Sequence, residues 1–418
     1  MCGIAGIYDP RHSVGLSTDV LRRMAGVIRH RGPDDDGFFE DSVVALGMRR
    51  LSIIDLSTGR QPVSNEDGTI HAVYNGEIYN FRELRRDLES RGHTFRTKSD
   101  SEVIVHAYEE DGSECVQRFR GMFAFALWDS RARTLLLARD RLGIKPLHYT
   151  FQGGALVFGS EIKSILCHPK VSREMDLEAL DYFFTYRYIP DPLTIFRDIR
   201  KLPAGHILEA TDGQISVRAY WDVPEPDEAA AEDPALAERL LERLDDAVRV
   251  RLVSDVPLGA FLSGGIDSSS VVAAMAGAMA EPVKTFSIGF EEEAFDELRY
   301  ARLTSKRHAT DHRERVVRSG DLSLLDDVVG FFDEPFGDIS SVPTFLLSKL
   351  ARERVTVALS GDGGDELFAG YERYRVDRDF ARFDFLPLSL RRTVFGALSA
   401  MWPANLRGGE RLARFGHA

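Results

Sequence analysis

Cys2 directly follows the first methionine, a position in which its thiol could become a nucleophile with a base of its own. Removal of a methionine that precedes a small residue would leave Cys2 with both a thiol and a free α-amine. The α-amine has an unperturbed pKa of about 8, so it can accept the thiol proton without help from a histidine. Taken alone, a cysteine at position 2 is as readily incidental as catalytic, and its meaning depends on the polar groups that accompany it.

Three motifs of the first half supply groups that such a nucleophile needs. Arg50 precedes an apolar segment, and its guanidinium is suited to bidentate capture of a carboxylate. Asn75-Gly76-Glu77 follows a predicted strand and offers a side-chain amide and an unhindered backbone N–H, the two donors of an oxyanion hole. Asp100 could present a carboxylate to a substrate ammonium. Each motif also has a plain interpretation: Arg50 as a surface cation, Asn75-Gly76 as a hairpin turn and Asp100 as a helix N-cap.

Two glycine-rich loops in the second half could bind phosphates. Residues 263–269 lie between a predicted strand and a predicted helix, where glycines admit an anion and a helix N-terminus adds donors. The Walker lysine is absent, and Asp267 beside phosphates would be unfavourable unless Mg²⁺ lay between them. Residues 360–366 repeat the pattern with three acids. A Gly/Ser turn and a solvated acidic turn are the plain alternatives, and a calcium loop competes for the second, although the regular alternation of oxygen ligands is missing.

The hydrophobic pattern predicts the elements that must position these groups. In the first two hundred residues it predicts strands at 43–47, 70–74, 123–129, 134–139 and 155–158, and helices at 19–28, 81–91 and 101–110. This half is expected to be α+β, with sheets covered by helices. After an acidic, proline-containing linker at 223–234, strands at 256–262, 283–288 and 355–359 alternate with helices at 236–252, from 268 and at 295–307. That alternation predicts a parallel α/β sheet.

The composition excludes several classes of partner. The chain has 418 residues, with 53 Lys+Arg against 66 Asp+Glu and a net charge of −13, which argues against nucleic acid and anionic membranes. Cys2, Cys115 and Cys167 provide neither a disulfide framework nor zinc-type spacing. There is no basic-then-apolar leader and no apolar run of the ~20 residues that a membrane span needs. A reduced, cytoplasmic protein is therefore expected.

Six motifs of the first half occur in a single order. They are Cys2-Gly3-Ile4-Ala5-Gly6, His30-Arg31-Gly32-Pro33-Asp34, Arg50-Leu51-Ser52-Ile53, Asn75-Gly76-Glu77-Ile78-Tyr79-Asn80, Ser99-Asp100 and Gly121-Met122-Phe123-Ala124-Phe125. This order resembles the glutaminase domain of class II, N-terminal-nucleophile glutamine amidotransferases. The resemblance implies a four-layer αββα sandwich and a thioester formed by glutamine at Cys2. It implies Asn75 and Gly76 as oxyanion donors and a glutamine site made of Arg50, Leu51, Ser52, Ile53, Ile54, Asn75, Gly76, Glu77 and Asp100, with the His30–Asp34 loop shaping the pocket.

The second half carries residues 263–269, 285–290 and 360–366 in an order that resembles the ATP-pyrophosphatase fold of asparagine synthetases. Such enzymes adenylate a carboxylate with ATP and release pyrophosphate. The implied ATP-binding residues are Leu262, Ser263, Gly264, Gly265, Asp267, Ser268, Ser269, Ile288, Ser360 and Gly361. Asp267 and Asp365 are implied as Mg²⁺ ligands. Asp362 stands where the family places an acid, Glu in some members, that is tied to formation of the acyl-adenylate.

The two resemblances imply a glutaminase domain over residues 1–215 and an ATP-pyrophosphatase domain over residues 216–418. Together they imply a glutamine-dependent asparagine synthetase, with glutamine, ATP and aspartate as substrates, Mg²⁺ as the metal and a shielded path for ammonia between the sites. Family motifs that follow the second loop, an acidic-Arg-x-Pro-Phe-Leu-Asp segment and a phosphate-contacting lysine, are not found after Phe380. The chain is therefore expected to be a fragment or a truncated homologue.

Two alternatives remain open from the sequence. One is a sister amidotransferase that amidates another carboxylate, for instance in cell-surface polymer assembly. The other is a non-catalytic regulatory relative that keeps only the fold, although intact Cys2, Arg50, Asn75 and Asp100 weigh against it. A homodimer is considered as the assembly, and the sequence does not decide it.

Overall fold

The computed structural model describes residues 1–225, 233–291, 297–318 and 324–382, together with residues 385, 387, 389, 390, 393 and 397. The strands are β1 (Gly3–Tyr8), β2 (Asp35–Glu40), β3 (Val44–Arg50), β4 (Val63–Ser64), β5 (Ile70–Ile78), β6 (Gly121–Asp129), β7 (Thr134–Arg139), β8 (His148–Gln152), β9 (Ala155–Gly159), β10 (Arg200–Lys201), β11 (His206–Thr211), β12 (Gln214–Ala219), β13 (Leu258–Phe261), β14 (Lys284–Phe290), β15 (Asp311–Val317) and β16 (Val357–Leu359). The helices are α1 (Thr18–Gly26), α2 (Phe81–Ser90), α3 (Val103–Asp111), α4 (Ile162–Ile165), α5 (Leu177–Tyr186), α6 (Leu236–Val250), α7 (Ile266–Ala278), α8 (Leu298–His308), α9 (Leu325–Phe331), α10 (Ser341–Arg352), α11 (Gly364–Phe368) and α12 (Glu372–Ala381), with a 3-10 helix at Gly112–Arg118. Parts of the predicted linker at 223–234 and of the predicted helix at 295–307, and most of the chain after 382, lie outside the described residues.

The first half is a four-layer sandwich, as predicted. Two six-stranded antiparallel sheets have the orders β10-β8-β9-β1-β3-β2 and β12-β11-β7-β6-β5-β4. Fully buried Tyr8, Trp128 and Phe158 belong to the core between the sheets. A second core joins the β5-β6-β7 face to α2 and α3, and a third joins β1 and β9 to α1 and α4. Each large apolar side chain buried in these cores stabilises the fold by roughly 1.5–3 kcal/mol.

Strand register brings the N-terminus to one edge of the sandwich. β1 and β3 are antiparallel neighbours in which Gly3 pairs with Arg49, so Cys2 lies opposite Arg50. Gly6 is required within β1 because a Cβ atom at this position would clash with the ring of Phe158, its partner on the neighbouring strand β9. The residues flanking β1 and β3 are therefore placed side by side by backbone pairing alone.

The second half contains a four-stranded parallel sheet, also as predicted, in the order β15-β14-β13-β16. Ala260 of β13 pairs with Leu359 of β16, so the loops that follow these two strands emerge side by side. Its core includes Leu262, Val272 and Met275, which hold α7 against the sheet. Among the described residues, no helix is both long enough and apolar enough to cross a bilayer.

Candidate active sites

The Cys2 thiol lies in the space between the two sheets of the first half. Its Sγ donates a weak hydrogen bond to the Leu51 carbonyl at 3.7 Å, and Cys2 packs against the core between the sheets. The Arg31 Nε donates to the Cys2 carbonyl at 3.0 Å, which fixes the backbone of the residue. Burial raises the pKa of the Cys2 thiol, so the resting group is protonated near neutral pH and a base must remove its proton.

An α-amine at this end of β1 is a suitable base. The pKa of the Met1 α-amine is lowered to about 6 because burial disfavours its charged form. An amine with that pKa is neutral at pH 7 and can accept a proton.

Asn75 is a buried amide without a partner. The residue is fully buried, yet neither its Oδ1 nor its Nδ2 forms a hydrogen bond within the described structure. Leaving a buried polar group unpaired costs about 1–3 kcal/mol of folding free energy. An amide kept unpaired at this cost is a candidate for binding a substrate atom. The expectation that Asn75-Gly76-Glu77 follows a strand is wrong, as is the hairpin-turn alternative, because all three residues lie within β5 and pair with β6.

The Gly76 backbone faces the open edge of β5. On that edge the Tyr74 N–H donates to Gln61 Oε1 at 2.7 Å and the Ile78 N–H donates to Asp100 Oδ2 at 2.9 Å. Because N–H groups of every second residue in a strand point the same way, the Gly76 N–H points to this edge between them. A Cβ atom at Gly76 would lie 2.8 Å from the Phe123 Cα, so a side chain is excluded there.

Arg50 is a buried cation, so its interpretation as a surface residue is wrong. It is 5% exposed, and its Nη2 donates to the carbonyls of Ile54 at 3.1 Å and Asp55 at 2.6 Å. These bonds wrap the intervening segment, which contains Leu51, Ser52 and Ile53, around the guanidinium. The Ser52 N–H in turn donates to Asp34 Oδ2 at 2.9 Å, so the His30–Asp34 loop supports this segment.

Half-buried Glu77 and buried Asp100 are carboxyl groups close enough for the charge of Asp100 to act on Glu77. Asp100 accepts hydrogen bonds from the Tyr74 hydroxyl at 2.8 Å and the Ile78 N–H at 2.9 Å, and it does not cap α3, so the N-cap interpretation is wrong. Burial raises the pKa of Asp100. Burial, followed by the charge of Asp100, raises the pKa of Glu77 to about 9. At neutral pH Glu77 therefore holds a proton, and a cation placed beside the pair would release it.

The first glycine-rich loop is folded onto the start of α7. Ser263 Oγ accepts from the Gly265 N–H at 3.2 Å and lies 3.0 Å from Ser268 Oγ. Gly264 has a φ of +88°, and a Cβ atom there would lie 2.5 Å from the Ala301 nitrogen. No side chain caps the N-terminus of α7, so its first N–H groups, which include those of Asp267 and Ser268, are available to an anion. Ser269, one residue on, is held by its hydroxyl 3.0 Å from Thr304 Oγ1.

The second glycine-rich loop contacts the first through Asp267. A Cβ atom on Gly361 would lie 2.7 Å from the Ser268 nitrogen, and one on Gly364 would lie 2.6 Å from Asp267 Oδ2. Because Gly361 and Gly364 have no side chains, the loop that carries Asp365 can approach the Asp267 carboxylate. Carboxylate oxygens beside an anion cradle suit Mg²⁺ with phosphates, so the residues present fit the expected metal. The Ser360 hydroxyl donates to exposed Asp362 at 2.8 Å.

The side chains of Leu262 and Ile288 pack into cores of the second half. The Leu262 side chain is 1% exposed in the core under α7, and Ile288 packs against the core of Val328, Val342 and Leu346. That they act mainly through main-chain atoms stays a prediction. The Leu262 carbonyl already accepts the Ser287 hydroxyl.

Two contacts join the halves beside the first site. The Asp255 N–H donates to the Ile53 carbonyl at 3.0 Å, and Asp255 Oδ2 accepts the Asp55 N–H at 2.8 Å. The second contact is a chain of charges in which Glu161 pairs with Arg31 at 2.9 Å and with Lys163 at 3.1 Å. Lys163 also lies 3.3 Å from Asp333 of the second half. The segment at residues 51–55, whose carbonyls accept hydrogen bonds from Cys2 and Arg50, is therefore bonded directly to the second half.

Sequence reasoning missed three residues around Cys2. Arg31 was expected only as part of a pocket-shaping loop, and Glu161, its partner, was not considered. Lys145 is 4% exposed, burial lowers its pKa, and the charges of Glu77 and Cys2 act on it in the opposite direction. The signal in the sequence was the turn at residues 140–145 that ends at Lys145. In the structure, Asp140 holds this turn by accepting the backbone N–H groups of Leu142, Ile144 and Lys145.

Both halves of the chain match known protein families. The family model described as "Glutamine amidotransferase domain" matches residues 1–221, and the one described as "Asparagine synthase" matches residues 239–415. The putative glutamine-hydrolysing asparagine synthetase 2 of Methanocaldococcus jannaschii is 38% identical over 412 residues, which cover 90% of this chain and 78% of that protein. The chain belongs to the glutamine-hydrolysing asparagine synthetase family.

Other members of the asparagine synthetase family are longer than this chain. The glutamine-hydrolysing asparagine synthetase 1 of Bacillus subtilis is 38% identical over 99% of this chain and 66% of its own length. A putative glutamine-hydrolysing asparagine synthetase of Mycobacterium tuberculosis is 36% identical over 99% of this chain and 67% of its own length. The chain thus spans about two thirds of the length of these family members.

Proposed function

We propose that this chain hydrolyses glutamine at Cys2 and supplies the ammonia to a carboxylate that the second half activates with ATP. The observation that carries the proposal is the fully buried Asn75 amide, which has no hydrogen-bond partner among the residues that the structure describes. It belongs to the strand whose free edge presents the Gly76 N–H, in the same sandwich as Cys2. An amide kept unpaired at that cost is explained if it binds an oxygen that gains charge during the reaction.

The proposed glutaminase step follows from the groups around Cys2. After removal of Met1, the α-amine of Cys2 accepts the thiol proton, and the thiolate attacks the glutamine amide carbon. Asn75 and Gly76 stabilise the resulting oxyanion, which collapses to a thioester as the protonated α-amine gives its proton to the leaving nitrogen and ammonia departs. Water then attacks the thioester and releases glutamate. Arg50 pairs with the substrate carboxylate, while Glu77 and Asp100 face its ammonium.

The proposed synthetase step uses the two glycine-rich loops. The first, with Ser263, Ser268 and Ser269, binds the pyrophosphate portion of ATP at the start of α7, and the backbones of Leu262, Ile288, Ser360 and Gly361 line the adenosine. Asp267 and Asp365 would hold Mg²⁺, which neutralises phosphate charge when bound. Asp362 acts near the reacting carboxylate during formation of the acyl-adenylate. Ammonia attacks that adenylate and releases AMP.

We propose aspartate as the acceptor, residues 1–215 as the glutaminase domain and residues 216–418 as the part of the synthetase domain that this chain carries. Family membership supports aspartate, since the relatives are named for asparagine. Coupling requires that ammonia be kept from bulk water, where it would be protonated. The contacts of Ile53 and Asp55 with Asp255, beside the start of β13, support a direct route between the halves.

The carboxyl pair yields a prediction about proton release. Glu77 is protonated at pH 7.5 because its pKa is raised to about 9, and a glutamine ammonium bound beside it would lower that pKa. Glutamine binding to the Cys2→Ala variant, which cannot turn over, is expected to release close to one proton. Calorimetric titrations in phosphate and in Tris, whose ionisation enthalpies differ, measure this number. The Cys2→Ala/Glu77→Gln variant should release none, and equal release from both variants would contradict the proposed role of Glu77.

The acceptor is tested with a version of the protein that spans the full length of the family members. Incubation with ATP, Mg²⁺, glutamine and aspartate is expected to give AMP, pyrophosphate and asparagine in equal amounts. Asp362→Asn should lower AMP formation while glutamate release from glutamine alone continues, because the two steps use different halves. Formation of AMP that does not depend on aspartate would contradict aspartate as acceptor and favour another carboxylate.

A further inference from the structure

A cluster of two imidazoles and two carboxylates lies in the first half and shares no residue with either candidate active site. It consists of Glu66, His93, His106 and Glu109, whose ligand atoms all lie within 4.8 Å of one another. Three separate stretches of chain meet in this cluster: the turn before β5, the loop after α2 and the helix α3. Because the members are far apart in sequence, no local motif marks them.

The spacing inside the cluster is short enough for one metal ion to bind all four residues. The Nδ1 of His93 lies 3.3 Å from Glu66 Oε1 and 3.7 Å from Glu109 Oε2. The Nδ1 of His106 lies 3.3 Å from Glu66 Oε2 and 3.4 Å from Glu109 Oε2. Ligands bonded to Zn²⁺ at about 2.0–2.1 Å in a tetrahedron stand about 3.3–3.4 Å apart. The distances of 3.3 and 3.4 Å agree with this geometry. The two Glu66 distances end on different oxygens and the ligand atoms spread over up to 4.8 Å, so small shifts of both carboxylates must bring one oxygen of each onto the ion.

The outer nitrogens of both imidazoles face further carboxylates. The Nε2 of His93 lies 3.2 Å from Glu110 Oε1. The Nε2 of His106 lies 3.7 Å from Glu102 Oε1, and it is a fully buried atom with no hydrogen-bond partner in the described structure. Metal-ligating histidines usually donate their outer N–H to a carboxylate, which fixes the tautomer that leaves the inner nitrogen free to bind. His93 has this hydrogen bond to Glu110, and His106 Nε2 faces Glu102 without one.

The carboxylates of the cluster are already held in place. Glu109 Oε1 accepts the Asn65 amide at 2.9 Å, and Glu66 Oε1 accepts the Thr94 N–H at 2.8 Å. His106 is fully buried and the His93 side chain is 12% exposed, whereas the side chains of Glu66 and Glu109 are 35% and 23% exposed, so the cluster opens to solvent on the side of its carboxylates. Little ordering of side chains would be needed for an ion to bind.

We propose that this cluster binds one Zn²⁺ per chain. Two imidazoles with two carboxylates favour a transition metal over Mg²⁺ or Ca²⁺, which prefer oxygen ligands alone. Four protein ligands fill a tetrahedral coordination sphere, so the ion has a structural role. It ties α3 and the loop that leads to Asp100 to the turn that precedes β5. The competing state is a metal-free cluster in which protonated imidazoles pair with the same carboxylates.

The test uses the purified chain after treatment with a chelator. Titration with Zn²⁺ against a chromophoric competitor is expected to give one site per chain, and Co²⁺ in its place should give the intense visible absorbance of tetrahedral coordination. The same result is expected from Cys2→Ala, which excludes the Cys2 thiol as the ligand. Loss of a residue that only hydrogen-bonds to a metal ligand usually weakens metal binding by roughly 10–100-fold. Glu110→Gln, which removes such a residue, should weaken Zn²⁺ binding by about 10-fold, and His93→Gln, which removes a ligand, by more than that range.

Two variants serve as matched controls for these substitutions. His308→Gln and Glu238→Gln alter a histidine and a glutamate of the second half and are expected to leave Zn²⁺ binding unchanged. Far-ultraviolet circular dichroism shows whether each variant is folded. If His93→Gln does not fold, the Zn²⁺ affinity of Glu110→Gln tests the proposal. Equal Zn²⁺ affinity in wild type, His93→Gln and Glu110→Gln, or a Co²⁺ spectrum without tetrahedral intensity, would overturn the proposal.

Discussion

Substitution of Cys2 by alanine is expected to abolish the release of glutamate from glutamine. The variant keeps the fold, because the Cys2 side chain makes only a weak hydrogen bond to Leu51 at 3.7 Å. It loses the only atom that can form the thioester, and loss of a catalytic nucleophile lowers kcat by about 10⁴-fold or more. A coupled glutamate dehydrogenase assay with the purified chain measures this effect directly.

The control for this variant is Cys167→Ala. Cys167 is also half-buried, and its thiol also donates to backbone carbonyls, those of Arg23 and Lys163. Its removal is expected to leave glutamate release within about twofold of wild type, since it lies outside the proposed site. Glutamate release by Cys2→Ala at the rate of Cys167→Ala would contradict the assignment of Cys2.

The second large effect is expected from substitution of the buried Asn75. Asn75→Ala should lower kcat for glutamate release by about 10²–10³-fold, the usual cost of removing one oxyanion donor, with a much smaller change in KM. It should change the free energy of unfolding by only about 1 kcal/mol, because no hydrogen bond in the free protein is lost. Steady-state kinetics and denaturant unfolding separate the two effects.

Asn65→Ala is the matched variant with the opposite expectation. Asn65 is equally buried, but its Oδ1 accepts from the Thr69 and Ile70 N–H groups and its Nδ2 donates to Thr69 and Glu109. Its loss should cost about 2–4 kcal/mol of unfolding free energy while kcat is retained. If Asn75→Ala instead lost stability and kept kcat, Asn75 would be a structural residue and the oxyanion proposal would be wrong.

Much of the fold could be predicted from local patterns. The strand at Thr134–Arg139 has the predicted bounds, and the parallel sheet follows from the alternation of strands and helices in the second half. The strand Gly3–Tyr8 was missed because all six of its residues are buried, so it shows no alternation between apolar and polar side chains. The hairpin of β11 and β12 was also missed, since β12 lies at a sheet edge with mostly exposed residues and no strong pattern.

The candidate sites could be predicted where a motif carries the chemistry in one stretch of chain. Cys2, the Asn75-Gly76 pair and both glycine-rich loops are of this kind. Residues that act across the fold could not be found in that way, because pairing over long sequence distances places them. Glu161 reaches Arg31 across 130 residues, and Asn75 is distinguished from Asn65 only by the lack of a partner.

The most direct test of the proposed reaction is to capture the intermediate on the first residue of the mature chain. The purified protein is mixed with glutamine, quenched in acid within the first turnover, digested and analysed by mass spectrometry. We predict an N-terminal peptide that begins at Cys2, lacks Met1 and carries a γ-glutamyl group on the thiol. Continued release of glutamate from a chain whose terminal peptide retains Met1, or stays unmodified while another residue carries the adduct, would contradict the account.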